Sequence, residues 1–134
     1  MPEPSSQAIV EKFIDAWNRM DFEAIINALH RDVTYHNIPM AALQGRDSVR
    51  EYLHSAWRFE AVDWQTINIA SVGNTVLTER VDNFVINGAP VALPVMGVFE
   101  IVDGKISQWR DYFDLASYKA QLAAAAAAGD DNKE

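Results

Sequence analysis

Apolar residues recur three and four apart at Ile9, Val10, Phe13, Ile14 and Trp17, which is a single stripe on a helix. Residues 5–29 read as helical, with Ser5 or Ser6 as the cap. A second, short helix near Asp21 to Leu29 carries Phe22, Ile25, Ile26 and Leu29. Val33 to Asn37 alternates like a short strand until Pro39 interrupts it. Gly45-Arg46-Asp47-Ser48 reads as a turn and cap into a third helix, with Val49, Leu53, Ala56 and Trp57 on one side. From residue 62 the period becomes two. Turn signals at Gly73-Asn74, Asn87-Gly88 and Asp103-Gly104 divide this region into strands over roughly 62–72, 75–86, 91–102 and 105–114. After Leu115 an alanine-rich helix reaches about Ala128.

This pattern predicts an α+β fold, with N-terminal helices packed on a curved, mainly antiparallel sheet that forms a cone-shaped pocket. One domain spans residues 1–134, with frayed tails at about 1–4 and 129–134.

Strand alternation then places the charges. Arg80 and Asp82 share a face with Val76 and Phe84, so they point inward. A two-residue turn at Gly73-Asn74 sets Thr78 opposite Ile69, Arg80 opposite Ile67 and Asp82 opposite Gln65. A two-residue turn at Asn87-Gly88 sets Asp82 beside Leu93 and Arg80 beside Val95. Asp111 shares the face of Trp109 and Phe113, but a two-residue turn at Asp103-Gly104 sets it beside Met96, on the wrong face. One extra residue must therefore intervene. A β-bulge at Gly97 is the preferred place, and a three-residue loop near Asn87 is the alternative. Tyr35 and Asn37, two apart on the early strand, share a face and both hydrogen-bond water readily.

Composition narrows the function. Half the residues are hydrophobic, 49%, which suffices for a core or an apolar cavity. The net charge of -8 argues against nucleic acid and against an anionic membrane surface. With no cysteine there is no disulfide framework, thiolate metal site or cysteine nucleophile. His30, His36 and His54 lack metal-ligand spacing and read as structural, and no metal is expected. Met1-Pro2-Glu3-Pro4 is not a secretion signal, and no apolar run spans a bilayer, so a cytoplasmic location is expected.

Taken singly, the candidate residues also fit plainer roles. An Arg-x-Asp on a strand is usually a ladder or a structural ion pair, and an Asp beside aromatics is usually a paired core residue. Glu79, Arg110 and Asp114 read as structural or surface charges. The combination is more specific. Tyr35-His36-Asn37, Thr78-Glu79-Arg80-Val81-Asp82, Gly97-Val98-Phe99 and Trp109-Arg110-Asp111-Tyr112-Phe113-Asp114 stand in an order and spacing that resembles the limonene-1,2-epoxide hydrolase family. The resemblance runs from the first helix to about Leu115. It implies hydrolysis of a small lipophilic epoxide to a diol, with no cofactor, by a homodimer. It implies Asp111 as general base, Tyr35 and Asn37 as holders of the attacking water, Asp82 as general acid, and Arg80 as the bridge between the carboxylates. Phe84, Leu93, Val95, Phe113 and, from the loop after the third helix, Phe59 are expected to line an apolar pocket for a terpene-like, alicyclic or aryl epoxide. The competing classes are an isomerase or cyclase on the same cone, and a non-catalytic ligand-binding or dimerisation module.

Overall fold

A computed structural model describes residues 4–131. The elements are α1 (Ser6–Asn18), α2 (Phe22–Asn27), β1 (Leu29–Asn37), β2 (Leu43–Gln44), α3 (Arg46–Ala56), β3 (Ala61–Val72), β4 (Thr75–Ile86), β5 (Ala89–Val102), β6 (Lys105–Tyr112) and α4 (Leu115–Asp131). The six strands form one sheet in the order β2-β1-β6-β5-β4-β3. Every neighbouring pair is antiparallel except β1 and β6. The architecture is α+β, with helices on the inner face of a curved, open sheet.

Ser5 caps α1 by accepting from Ala8 N at 3.1 Å. Met20, in the left-handed region at φ 55, breaks the helical run, and Asp21 restarts it by accepting from Ala24 N. The second helix ends before Leu29, contrary to the sequence expectation. Ala28 O accepts from Ile106 N at 2.9 Å, and Leu29 pairs with Ile106, so the sheet captures Leu29 as the first residue of β1. Gly45 precedes α3 at φ 89 and makes no side-chain cap bond. Phe13, Trp17, Phe99 and Trp109 form the centre of the core, where Phe13 meets Trp109 edge-on at 4.9 Å.

Register shifts occur in three strand pairs, between Leu29 and Thr34 in β1–β6, between Thr66 and Asn68 in β3–β4 and between Glu100 and Ile101 in β5–β6, and none is at Gly97. In β3 the pairing holds at Thr78–Ile69 and Glu79–Asn68, then skips Ile67. Arg80 thus faces Thr66 and Asp82 faces Trp64, rather than Ile67 and Gln65. The signal was present in β3, whose apolar positions change phase from Val62 and Trp64 to Ile67 and Ile69. The turn at Asn87-Gly88 has two residues, both with positive φ, and β4–β5 pairs without a break. The reset comes instead in β6. Glu100 pairs with Gln108 but Ile101 with Ile106, leaving Ser107 as the extra residue. The Ser107 hydroxyl donates to Glu100 O at 3.0 Å and so secures the bulge. Gly97 then falls opposite Asp111, and all of β5 keeps its alternation.

β6 stops opposite Met96, so the stretch of β5 before Met96 has no strand beside it on that edge. The helix α4 covers it. The Gln121 side chain accepts from Ala92 N at 2.8 Å and donates to Ala92 O at 2.9 Å, taking a strand's place at one residue. The helix runs to Asp131, past its expected end at Ala128. Of the frayed tails expected at about 1–4 and 129–134, residues 1–3 and 132–134 lie outside the described residues, whereas 129–131 continue α4 rather than fray. Among the described residues no helix is long and apolar enough to cross a membrane.

Replacing Gln121 with Ala removes both bonds to Ala92, each worth about 0.5–1.5 kcal/mol. Amide exchange at Ala92 and along α4 is expected to accelerate, while exchange at Thr78 and Arg80 stays unchanged.

Candidate active site

Three charges meet on the inner face of the sheet. Arg80, Asp82 and Asp111 are only 1%, 6% and 4% exposed. Arg80 Nε and Nη2 donate to the two oxygens of Asp82, both at 2.9 Å, as a planar fork. Nη2 also donates to Asp111 Oδ1 at 3.2 Å. The second oxygen of Asp111 accepts from the Trp109 indole N–H at 3.1 Å. Alternation along β4 puts Arg80 and Asp82 on one face, and the Ser107 bulge brings Asp111 onto the same face from β6.

The guanidinium sits in a built seat. Nη1 donates to the Thr78 hydroxyl at 2.9 Å, and that hydroxyl donates to Gly97 O at 3.2 Å. The Trp64 ring covers the guanidinium at 4.7 Å from its centroid. Gly97 leaves the space: a Cβ there would collide with Arg80 Nη1 and lie 2.8 Å from both Asp111 Oδ1 and Thr78 Oγ1.

Asp82 and Asp111 reach a cavity of about 310 Å³, while Arg80 stands behind them and does not line it. Tyr35, Asn37, Phe59, Phe84, Leu93, Val95 and Phe113 all line the cavity, Phe113 from just beyond the end of β6. Asn37 is the register partner of Asp111 across the parallel β1–β6 pair. The Tyr35 hydroxyl lies 3.2 Å from Asn37 Oδ1 and 3.0 Å from its Nδ2, and the Tyr35 ring stacks on Trp109 at 3.8 Å. Sequence reasoning missed Trp64 because it missed the β3 bulge. It also missed Thr78, although Thr78 shares the inward face of Arg80. Tyr118 and Leu122 of α4 close one wall of the cavity and had no sequence signal. Among the described residues no group of three or more His, Cys, Asp or Glu could hold a metal ion.

The profile described as limonene-1,2-epoxide hydrolase catalytic domain matches residues 4–123. The chain belongs to the limonene-1,2-epoxide hydrolase family. It is 35% identical to epoxide hydrolase EphG of Mycobacterium tuberculosis over 106 residues, covering 79% of this chain and 71% of EphG. It superposes on the structure of an M. tuberculosis LEH-like epoxide hydrolase with a TM-score of 0.79 and 32% identity, over 92% of each chain. A Shewanella putrefaciens protein named as a SnoaL-like polyketide cyclase superposes with a TM-score of 0.78 at 17% identity, over 92% of this chain and 99% of that one. At that identity the likeness carries the fold alone.

In this member of the limonene-1,2-epoxide hydrolase family, burial and charge oppose one another at the site. Burial pushes the Asp82 carboxyl up to about 6, against the hydrogen bonds and charge of Arg80, and the Asp111 charge adds to the rise. Burial also raises Asp111, against the pull of Arg80 and the Trp109 N–H. Burial alone would lower Arg80, but Asp111 and Asp82 together hold it above its ordinary value. Burial, then the Asp111 charge, push the Tyr35 phenol well up, so it stays protonated. One proton shared between the carboxylates leaves the cluster neutral, which an apolar cavity tolerates. The folded value of Asp82 lies above its unfolded one. This carboxyl therefore adds stability that is full below the ordinary carboxylate range and is lost as pH rises through about 6.

Gly97→Ala forces a methyl against Arg80 Nη1. The variant is expected to lose about 1–3 kcal/mol of stability in urea unfolding, the usual penalty for overpacking.

Proposed function

We propose that the protein hydrolyses a small lipophilic epoxide to a vicinal diol in one step, by general acid and base attack of water. The observation that carries this reading is that Asp82 and Asp111, joined by one buried arginine, both open onto the same apolar cavity. Asp111 takes a proton from water while the water oxygen bonds to an epoxide carbon. The carbon–oxygen bond breaks, and Asp82 gives its proton to the departing oxygen. Tyr35 and Asn37, beside Asp111 on the neighbouring strand, hold the water. Arg80 keeps both carboxylates within reach, so the proton left on Asp111 can return to Asp82 after turnover. No metal or organic cofactor is required by this chemistry.

The cavity is near the small end of the roughly 300–1,000 Å³ usual for ligand pockets, and its walls are mainly aromatic and branched aliphatic. A terpene-like, alicyclic or aryl epoxide fits this lining. An isomerase or cyclase reading has fold likeness in its favour but no feature of the site.

We infer further that the chain forms a homodimer through the outer face of the sheet. Leu77, Met96 and Tyr112 are exposed there, with Met96 and Tyr112 adjacent in register. Glu79 pairs with Met96, and Arg110 with Val98, so charges of both signs flank the apolar residues and suit a two-fold, self-complementary contact.

Three outcomes follow from the mechanism. Asp111→Asn and Asp82→Asn are each expected to lower kcat by at least roughly 10²–10⁴-fold on an epoxide such as limonene or cyclohexene oxide. A single turnover in heavy-oxygen water with excess enzyme is expected to label the diol at once, whereas unlabelled diol would mean an aspartyl ester and refute direct attack. kcat/KM is expected to fall as pH rises past about 6, because Asp82 then loses the proton it must donate. For the assembly, light scattering is expected to give a dimer for the native chain and a monomer for Met96→Glu. A native monomer would refute the interface.

A further inference from the structure

Arg80 does not treat its two carboxylates alike. Asp82 receives the fork, two bonds of 2.9 Å, whereas Asp111 receives one bond of 3.2 Å from a nitrogen it shares with Asp82. Taken alone, this arrangement favours negative charge on Asp82 and the proton on Asp111. That is the reverse of what hydrolysis demands. The Trp109 indole N–H corrects the imbalance. It is a donor that cannot accept, it lies 3.1 Å from Asp111 Oδ2, and it gives Asp111 the same number of donors as Asp82. Its placement is rigid. Trp109 is fully buried, stacked on Tyr35 and held edge-on by Phe13.

We propose that Trp109 is a positioning residue that holds negative charge on Asp111 against the pull of the Arg80 fork toward Asp82, and so keeps Asp111 available as the base. This rests on the hydrolytic reading above. The charged and titratable groups around Asp111 are Arg80 and Asp82 from β4 and Tyr35 from β1, with Tyr52 of α3, Arg58 just after α3 and Tyr118 of α4 on other walls of the cavity. β5 presents only Gly97 opposite. Among the described residues only Arg80 and the Trp109 indole donate to the Asp111 carboxylate, so removing the indole N–H leaves it the single bond from Arg80. A hydrogen bond to an ionised carboxylate favours that form, and its loss moves the proton toward Asp111 and the charge toward Asp82.

The test separates the N–H from the ring that carries it. Trp109 is replaced by benzothienylalanine, which keeps the bicyclic shape and lacks the N–H, and in a second variant by Phe. Carbon-13 labelled aspartate carboxyls are titrated by NMR in the free proteins, and pH profiles of kcat/KM are recorded on cyclohexene oxide. In both variants the Asp111 carboxyl is expected to titrate about 1–2 pH units higher than in the native protein, the size of a bond to a charged group. The Asp82 carboxyl is expected to move lower. The acid limb of the profile is expected to rise with Asp111, and kcat to fall more than tenfold. A benzothienylalanine variant with native titration and native rate would overturn the proposal and leave Trp109 a packing residue. Shifted carboxyl titrations in a protein that hydrolyses no epoxide would support the charge assignment while removing the hydrolytic reading.

Discussion

The site depends on one buried guanidinium that serves two carboxylates. A guanidinium removed from water is costly unless its charge is balanced and its N–H groups are used. Here Asp82, Asp111 and Thr78 accept from it, and Trp64 covers one face. Removing either carboxylate strands charge in an apolar wall, so the three residues act as a unit. The neutral sum of one cation, one anion and one carboxylic acid is also the state that the proposed acid–base opening of an epoxide requires. On that proposal stability and chemistry favour the same protonation state.

Backbone devices make that unit possible. β5 contributes a glycine where any larger residue would occupy the place of Arg80 Nη1. β6 contributes a single extra residue, Ser107, without which Asp111 would face the outer side of the sheet beside Met96. β3 drops Ile67 out of register, which turns Trp64 toward the guanidinium. The C-terminal helix then docks through Gln121 on the uncovered edge of β5 and supplies Tyr118 and Leu122 to the cavity wall.

Much of this could be read from residues alone, and the misses share a cause. Period-two alternation sufficed to put Val76, Arg80, Asp82 and Phe84 on one inward face, and turn dipeptides located three hairpins. The same alternation required a phase reset before Asp111. It could not place that reset, because a bulge depends on local side-chain bonding as well as on glycine. Ser107 closes onto Glu100 O, whereas Gly97 has a steric purpose that appears only once Arg80 is in position. Leu29 was misread because a buried leucine suits either a helix end or a strand start, and its pairing with Ile106 decides between them. The docking of α4 was beyond sequence reasoning, since an alanine-rich helix shows no apolar stripe to orient it.

The proposed acid and base roles turn on where a single proton resides. A neutron structure of the deuterium-exchanged protein below pH 6 locates it directly. The expected result is one deuteron on Asp82, none on Asp111, and a fully deuterated Arg80 between them. A deuteron on Asp111 with Asp82 bare would contradict the assignment of acid and base. Two bare carboxylates would contradict the neutral, proton-sharing site.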